Sequence, residues 1–449
     1  MSKLSEAARL RTEFGVQLRL LRAAGAWTPG SGGVVQAVYG CYCAFIVASL
    51  VVFVVTQVSA ILHFWGDIIS ITNSVCVTFV YILAIFKLVI LLKMRRLTDE
   101  LVENLDRCME RYGRTFEREK AFVFGECARR GRWISLMQAW MGLCLYVAWE
   151  VQPMLRVQSC STTECRSQSG FPTVVWYPFS FTEPPAYQVV FIVVSTGLFY
   201  GNIISITVHS TLCTLMIYVA GHLRVLNLMA RNLCSTQQYD KTTGDHKQCN
   251  MCDAEERMRE HLRECVRYHI DIERMVQQLS KLVGPILLGE LLVDMITVSA
   301  SAFVTTALKA NSGLLLKYGW YLFVVAEQMF LVCWCGDEVL AESERLQVSV
   351  YSCDWTGGSP RFLRELRIVL SRTGRPLLLT ASKFYTITRE TFLLIPPRCT
   401  YVTHGGVVAM QVPPTTTETT ICHQQKINES VETVETSTGS SVKSIGDVT

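Results

Sequence analysis

The sequence predicts an all-α protein that crosses a membrane several times, and three observations carry that prediction. Half of the 449 residues are hydrophobic and only 18% are charged, a balance too apolar for an ordinary soluble chain of this length. The apolar residues gather into six stretches, 34–62, 68–92, 133–151, 187–217, 282–308 and 314–335, and a helix needs roughly 20 such residues to traverse the hydrocarbon core. Lys and Arg then fall on alternate sides of those stretches, as charged loops retained in the cytoplasm require. The net charge of +4 gives nucleic-acid binding no support. No repeat of solenoid period is visible.

Taken in order, residues 1–33 hold Lys3, Arg9, Arg11, Arg19 and Arg22 and lack the apolar core of a cleavable signal. They read as a cytoplasmic segment, and the first span itself directs insertion. The link from His63 to Asp67 has no Lys or Arg. The stretch after the second span runs from Lys93 to Arg132 and is densely basic, whereas the one after the third holds only Arg156 and Arg166. Arg224 through Lys281 is basic again, the short link after the fifth span holds Lys309 and Lys317, and Arg345 through Arg375 follows the sixth. The N-terminus is therefore expected in the cytoplasm. A seventh span would put the C-terminus outside. G-protein-coupled receptors have the reverse orientation, and no acidic-Arg-Tyr triplet follows the third span.

The last third of the chain is more specific. "CWCGDEVLAESERLQVSVYSCDW" at 333–355 and "PLLLTASKFYTITRETF" at 376–392 resemble the C-terminal signature of insect odorant receptors, and "EPPAYQVVF" at 183–191 is similar as well. The layout matches from about 34 to 395, as one odorant receptor-like domain with cytoplasmic helical extensions at 218–281 and 336–386. The resemblance implies a seven-helix bundle with a cytoplasmic N-terminus. It further implies a tetrameric odorant-gated cation channel formed with a common co-receptor, an outer ligand pocket, subunit contacts through the cytoplasmic extensions, and a pore lined by the last helix. A ligand-tuning subunit in the plasma membrane of a sensory dendrite fits better than the co-receptor itself. A gustatory receptor would end in Thr-Tyr near a terminal Gln-Phe, which is not seen.

A volatile ligand needs aromatic and aliphatic walls with few polar groups. The outer halves of the spans supply Thr78, Phe79, Gly142, Leu145, Trp149, Phe191, Tyr318 and Tyr321. Gly142, Leu145 and Trp149 share a helix face, as do Tyr318 and Tyr321; ordinary packing and interfacial anchoring is the competing account. Charges at membrane depth are rare. Lys87, near the end of its span, is expected to snorkel to the cytoplasmic surface. Glu290, Asp294 and Glu327 are candidates for a cation pathway, the alternative being hydrogen bonds inside the bundle, for example to His209.

Many of the 18 cysteines, among them Cys41, Cys43, Cys76, Cys144, Cys213 and Cys333, lie inside apolar runs and read as small buried residues. Cys160 and Cys165 lie in an outer loop where oxidation is permitted, and are disulfide candidates. His246, Cys249, Cys252, His261 and Cys265 match no finger spacing and read as reduced thiols, so no metal or other cofactor is expected. The segment 254–283 places Met258, Leu262, Cys265, His269, Ile272, Val276 and Leu279 on one helical face; it needs a partner surface, within the subunit or on another. No phosphate loop, zinc-protease motif or nucleophile elbow is present, so no enzymatic activity is expected.

The expected last span does not develop. After Glu390-Thr391-Phe392 the chain reads Leu393, Leu394, Ile395, Pro396, Pro397, and paired prolines remove donors and stop a helix. Residues 396–449 are polar and Ser/Thr-rich, the composition of a disordered tail. Two functional expectations follow: an odorant-gated subunit, or a non-conducting partner that sequesters the co-receptor. Asn428-Glu429-Ser430 is a glycosylation acceptor expected to stay unmodified on the cytoplasmic side.

Overall fold

A computed structural model describes residues 15–25, 33–66, 68–159, 170–181, 183–233, 251–307, 312–356, 358–381 and 385–391. The helices are α1 (Gly15–Ala23), α2 (Val34–His63), α3 (Ile68–Lys93), α4 (Arg95–Arg111), α5 (Glu117–Ser159), α6 (Ala186–Arg231), α7 (Met251–Ala307), α8 (Ser312–Tyr351) and α9 (Pro360–Thr373). A two-residue antiparallel ladder, β1 (Thr380–Ala381) with β2 (Tyr385–Thr386), follows α9. Six of the helices are long and apolar enough to cross a membrane. They correspond to the six apolar stretches, but α5, α6, α7 and α8 run on well past them. The extensions carry the charges at the basic end of the bundle, so the apolar stretch marks only part of each helix.

The bundle is organised around α6. From Ile206 to Leu223 every residue of this helix is buried, with α5 and α8 as its principal neighbours. A helix apolar on one stripe could not sit there. Here Leu, Val, Ile and Met alternate with Gly, Ala, Ser and Thr, and the hydroxyls of Ser210, Thr211 and Thr214 donate to carbonyls one turn back at 2.7–3.2 Å. Their polarity is thus spent within the helix. In lipid, helices associate through close packing rather than through exclusion of water. Gly197 and Gly201 serve that purpose: a Cβ at either would collide with the ring of Phe53 or of Tyr81. Those rings meet at 4.5 Å, and the Tyr81 hydroxyl donates to the Leu198 carbonyl at 3.1 Å.

At the basic end, charged side chains tie the extensions together. Arg130 of α5 grips Glu338 of α8 through two bonds of 2.7 and 2.9 Å. Arg224 of α6 also binds Glu338, and reaches Glu342 at 3.3 Å. The apolar face of 254–283 is consumed inside the chain: Leu262, Cys265, Ile272, Val276 and Leu279 are buried where α7 meets α4, α6, α9 and β1. Tyr112 donates to Asp271 at 2.7 Å, and burial with that bond pushes its phenol up to about 12. The intrasubunit partner therefore occupies this face.

Candidate functional site

Towards the end away from the basic extensions, α3, α5, α6, α7 and α8 part to leave a cavity of about 120 Å³. The separation follows from residue size. Gly201 and Ser205 of α6 and Ala84 of α3 leave room, and large rings from the neighbouring helices close the rim. Tyr81 enters from α3, Tyr146 and Trp149 from α5, and Tyr321 from α8; Val77, Val80, Leu145, Leu198, Val324 and Val325 complete the apolar wall. Asn202 lies at one side, held by a bond of 2.7 Å from its Nδ2 to the Gly142 carbonyl. The hydroxyl of Tyr321 is buried without a well-formed hydrogen bond, with Thr297 beside it.

Lys87 and Glu290 belong to the same cavity wall. Lys87 is only 2% exposed, and its Nζ donates to Glu290 Oε1 at 2.8 Å. His209 Nε2 lies 2.5 Å from the same oxygen and 3.1 Å from Lys87 Nζ. The consistent proton arrangement has Nε2–H donated to the carboxylate, because an unprotonated Nε2 would face its oxygen lone pair. Both donors then converge on Oε1, while Glu290 Oε2 is buried without a partner. Asp294 stands one helical turn farther along α7 and also lines the cavity.

The expectation that Lys87 snorkels to the surface is thus corrected. Its stem points into the bundle, because a buried carboxylate on α7 offers an ion pair at that depth. Of the residues proposed as pocket walls, Leu145, Trp149 and Tyr321 line the cavity; Thr78, Phe79, Gly142 and Phe191 lie elsewhere. Thr78 is buried, with its hydroxyl bonded to the Ser74 carbonyl at 2.6 Å, and Phe79 is exposed on the outer face of α3. Gly142 is the contact point for Ile206 of α6. Phe191 stacks at 6.2 Å with Tyr187 in an aromatic cluster at the end of α6. The side chain of Tyr318 lies outside the described residues.

Of the ion-pathway candidates, Glu290 sits in the ion-paired group within the bundle, Asp294 on the cavity wall, and Glu327 on α8 with both carboxylate oxygens buried and unpartnered. Cys160, Cys165, His246, Cys249, Asn428 and the proline pair with its tail also lie outside the described residues, as does the side chain of Cys252. Among the described residues no His, Cys, Asp and Glu group has metal-binding geometry. Tyr81, Tyr146, Asn202 and Ser205 were missed in the sequence. A search for small residues one turn apart on α6 would have found the Gly201 to Ser205 notch.

The family model described as 7tm Odorant receptor matches residues 67–396. Odorant receptor 10 of Aedes albopictus is 22% identical over 331 residues, 74% of this chain and 82% of that protein. Odorant receptor 13a of Drosophila melanogaster is 22% identical over 373 residues, 78% of this chain and 83% of that one. The Anopheles gambiae odorant receptor coreceptor matches a shorter region, 27% identical over 127 residues and 28% of this chain, 27% of its own. Among solved structures, the insect olfactory receptor OR5 from Machilis hrabei in complex with eugenol superposes with a TM-score of 0.73 at 16% identity, covering 88% of this chain and 98% of its own.

Proposed function

The chain belongs to the 7tm odorant receptor family, and from that premise we propose that it is a ligand-tuning subunit whose outer cavity binds a volatile small molecule. With a co-receptor it forms a hetero-oligomeric, ligand-gated cation channel in the plasma membrane, most simply a tetramer, with its N-terminus in the cytoplasm. The family is one of receptors and not of enzymes. The observation that carries the ligand reading is the largely apolar cavity between five helices, with a few polar groups in its wall, the chemistry a small apolar molecule needs for retention and orientation. Leu145, Trp149 and Tyr321 are its proposed contacts, joined by Tyr81 and Tyr146.

Co-expression with a co-receptor and recording of odorant-evoked current tests the reading. Current that is lost on Leu145→Trp, which fills the cavity, supports it; current unchanged by that substitution defeats it. A second reading rests on Pro396 and Pro397: the family match ends at residue 396, where the sequence stops an apolar helix. On that reading the chain occupies co-receptor without conducting, and titrating it against a functional receptor pair lowers their current.

A further inference from the structure

The cavity wall carries more carboxylates than cations, and the surplus specifies a ligand. One cation, Lys87, and two carboxylates, Glu290 and Asp294, line it. Lys87 is consumed by Glu290 Oε1, which His209 also supplies. That leaves Glu290 Oε2 enclosed with no donor on a side chain 5% exposed. Among the described residues, nothing forms an ion pair or hydrogen bond with the Asp294 carboxylate. A carboxylate set in a largely apolar wall calls for donors or a counter-charge. Asp294, half-buried on the cavity wall, is the one left for a ligand to supply, and an alkylammonium brings three donors on one nitrogen.

The rest of the wall suits the hydrocarbon part. Tyr81, Trp149 and Tyr321 also line the cavity, and aromatic side chains give a small alkyl group the apolar surface it needs. The size also discriminates. An engineered cavity of about 150 Å³ accepts benzene, so the volume of about 120 Å³ here suits a ligand of roughly six heavy atoms. A bare metal ion would leave the apolar wall unfilled and would need more oxygen ligands than remain.

Resting on the pocket reading above, we propose that the cavity selects small primary amines, with the hydrocarbon tail against the aromatic and aliphatic wall and the nitrogen against the Asp294 carboxylate. Whichever partner carries the proton before binding, the complex is the same ammonium–carboxylate pair. Lys87 does not repel it, because its charge is neutralised 2.8 Å away by Glu290.

The test uses the purified full-length protein in lipid nanodiscs at neutral pH, where an alkylamine is protonated, and needs no channel activity. Intrinsic fluorescence reports binding through Trp149. Two probes share one skeleton: 3-methylbutylamine and 3-methylbutan-1-ol. The amine is expected to bind about tenfold tighter, the scale of one charge-assisted hydrogen bond. Asp294→Asn is expected to remove that preference while the alcohol still binds, and Leu145→Trp to weaken both probes. Equal or tighter binding of the alcohol to the unsubstituted protein overturns the amine assignment, and so does an amine preference that survives Asp294→Asn. The unsubstituted comparison decides if the variant fails to fold. If neither probe binds, or if Leu145→Trp leaves both unchanged, the pocket reading falls as well.

Discussion

The two halves of α6 differ more than its composition suggests. Between Ala186 and Ile203 it shows one face to its neighbours and another outward, with Val189 and Ile192 exposed and Gly197 and Gly201 buried. Between Ile206 and Leu223 it has no outward face. The first half borders the cavity; the second is enclosed by α5, α7 and α8, and Arg224 and Asn227 just beyond it tie the helix to α8. Packing density and adaptability are thus separated along one helix. A receptor needs both: an interior void cannot be kept in a fully packed core, and a void needs rigid walls beneath it.

That contrast can be broken at several points. The largest effect is expected from Lys87→Met, which strands Glu290 in the bundle without its cation. Loss of one partner of a buried pair costs about 3–5 kcal/mol. Thermal unfolding in detergent should show the loss, and the double variant Lys87→Met with Glu290→Leu should recover most of it. Leu223→Ala, at a fully buried position in the enclosed half, is expected to cost about 3 kcal/mol, whereas Ile192→Ala, 63% exposed in the other half, should stay within about 0.5 kcal/mol. Equal losses would erase the distinction between the halves.

Arg224→Ala removes the bonds to Glu338 and Glu342. Both carboxylates are largely buried but keep other donors, Arg130 on Glu338 and Asn227 with Arg345 on Glu342, so the expected loss is about 2 kcal/mol, read from the same unfolding curves. The smallest effect concerns α9. A hydrogen bond of 2.7 Å from Arg259 holds Glu365 below the ordinary carboxylate range. Because the folded value is depressed, the contribution is present at neutral pH and is lost as acidification protonates Glu365. Glu365→Gln should therefore lower stability slightly at neutral pH, and the difference from the unsubstituted protein should vanish as acidification protonates Glu365.

Much of the fold could be read from composition and charge placement, because apolar length and Lys/Arg asymmetry are properties of the chain alone. The six crossing helices and the amphipathic seam of 254–283 were visible in that way. Partners distant in sequence were not. Lys87 and Glu290 are separated by 203 positions, and only the packing of α3 against α7 makes them neighbours; the one local cue was two opposite charges at similar depth. The cavity was half legible for the same reason. Leu145, Trp149 and Tyr321 stand out as large residues on outer helix faces, but whether a ring lines a void or fills a contact depends on the small residue opposite. Gly201 makes that choice for Tyr81, and Gly142 makes the other one for Ile206.

The length of α7 has a mechanical corollary. Met251–Ala307 is a single helix of 57 residues, about 85 Å at 1.5 Å per residue, and Asp294 sits near one extremity while the seam against α4 and α9 occupies the other. Pro285, which lacks a backbone donor, lies between them; to the extent that the helix moves as one body, each degree of tilt imposed at Asp294 sweeps its far extremity through roughly 1 Å. Small displacements at the cavity are in this way enlarged where the charged extensions meet their surroundings.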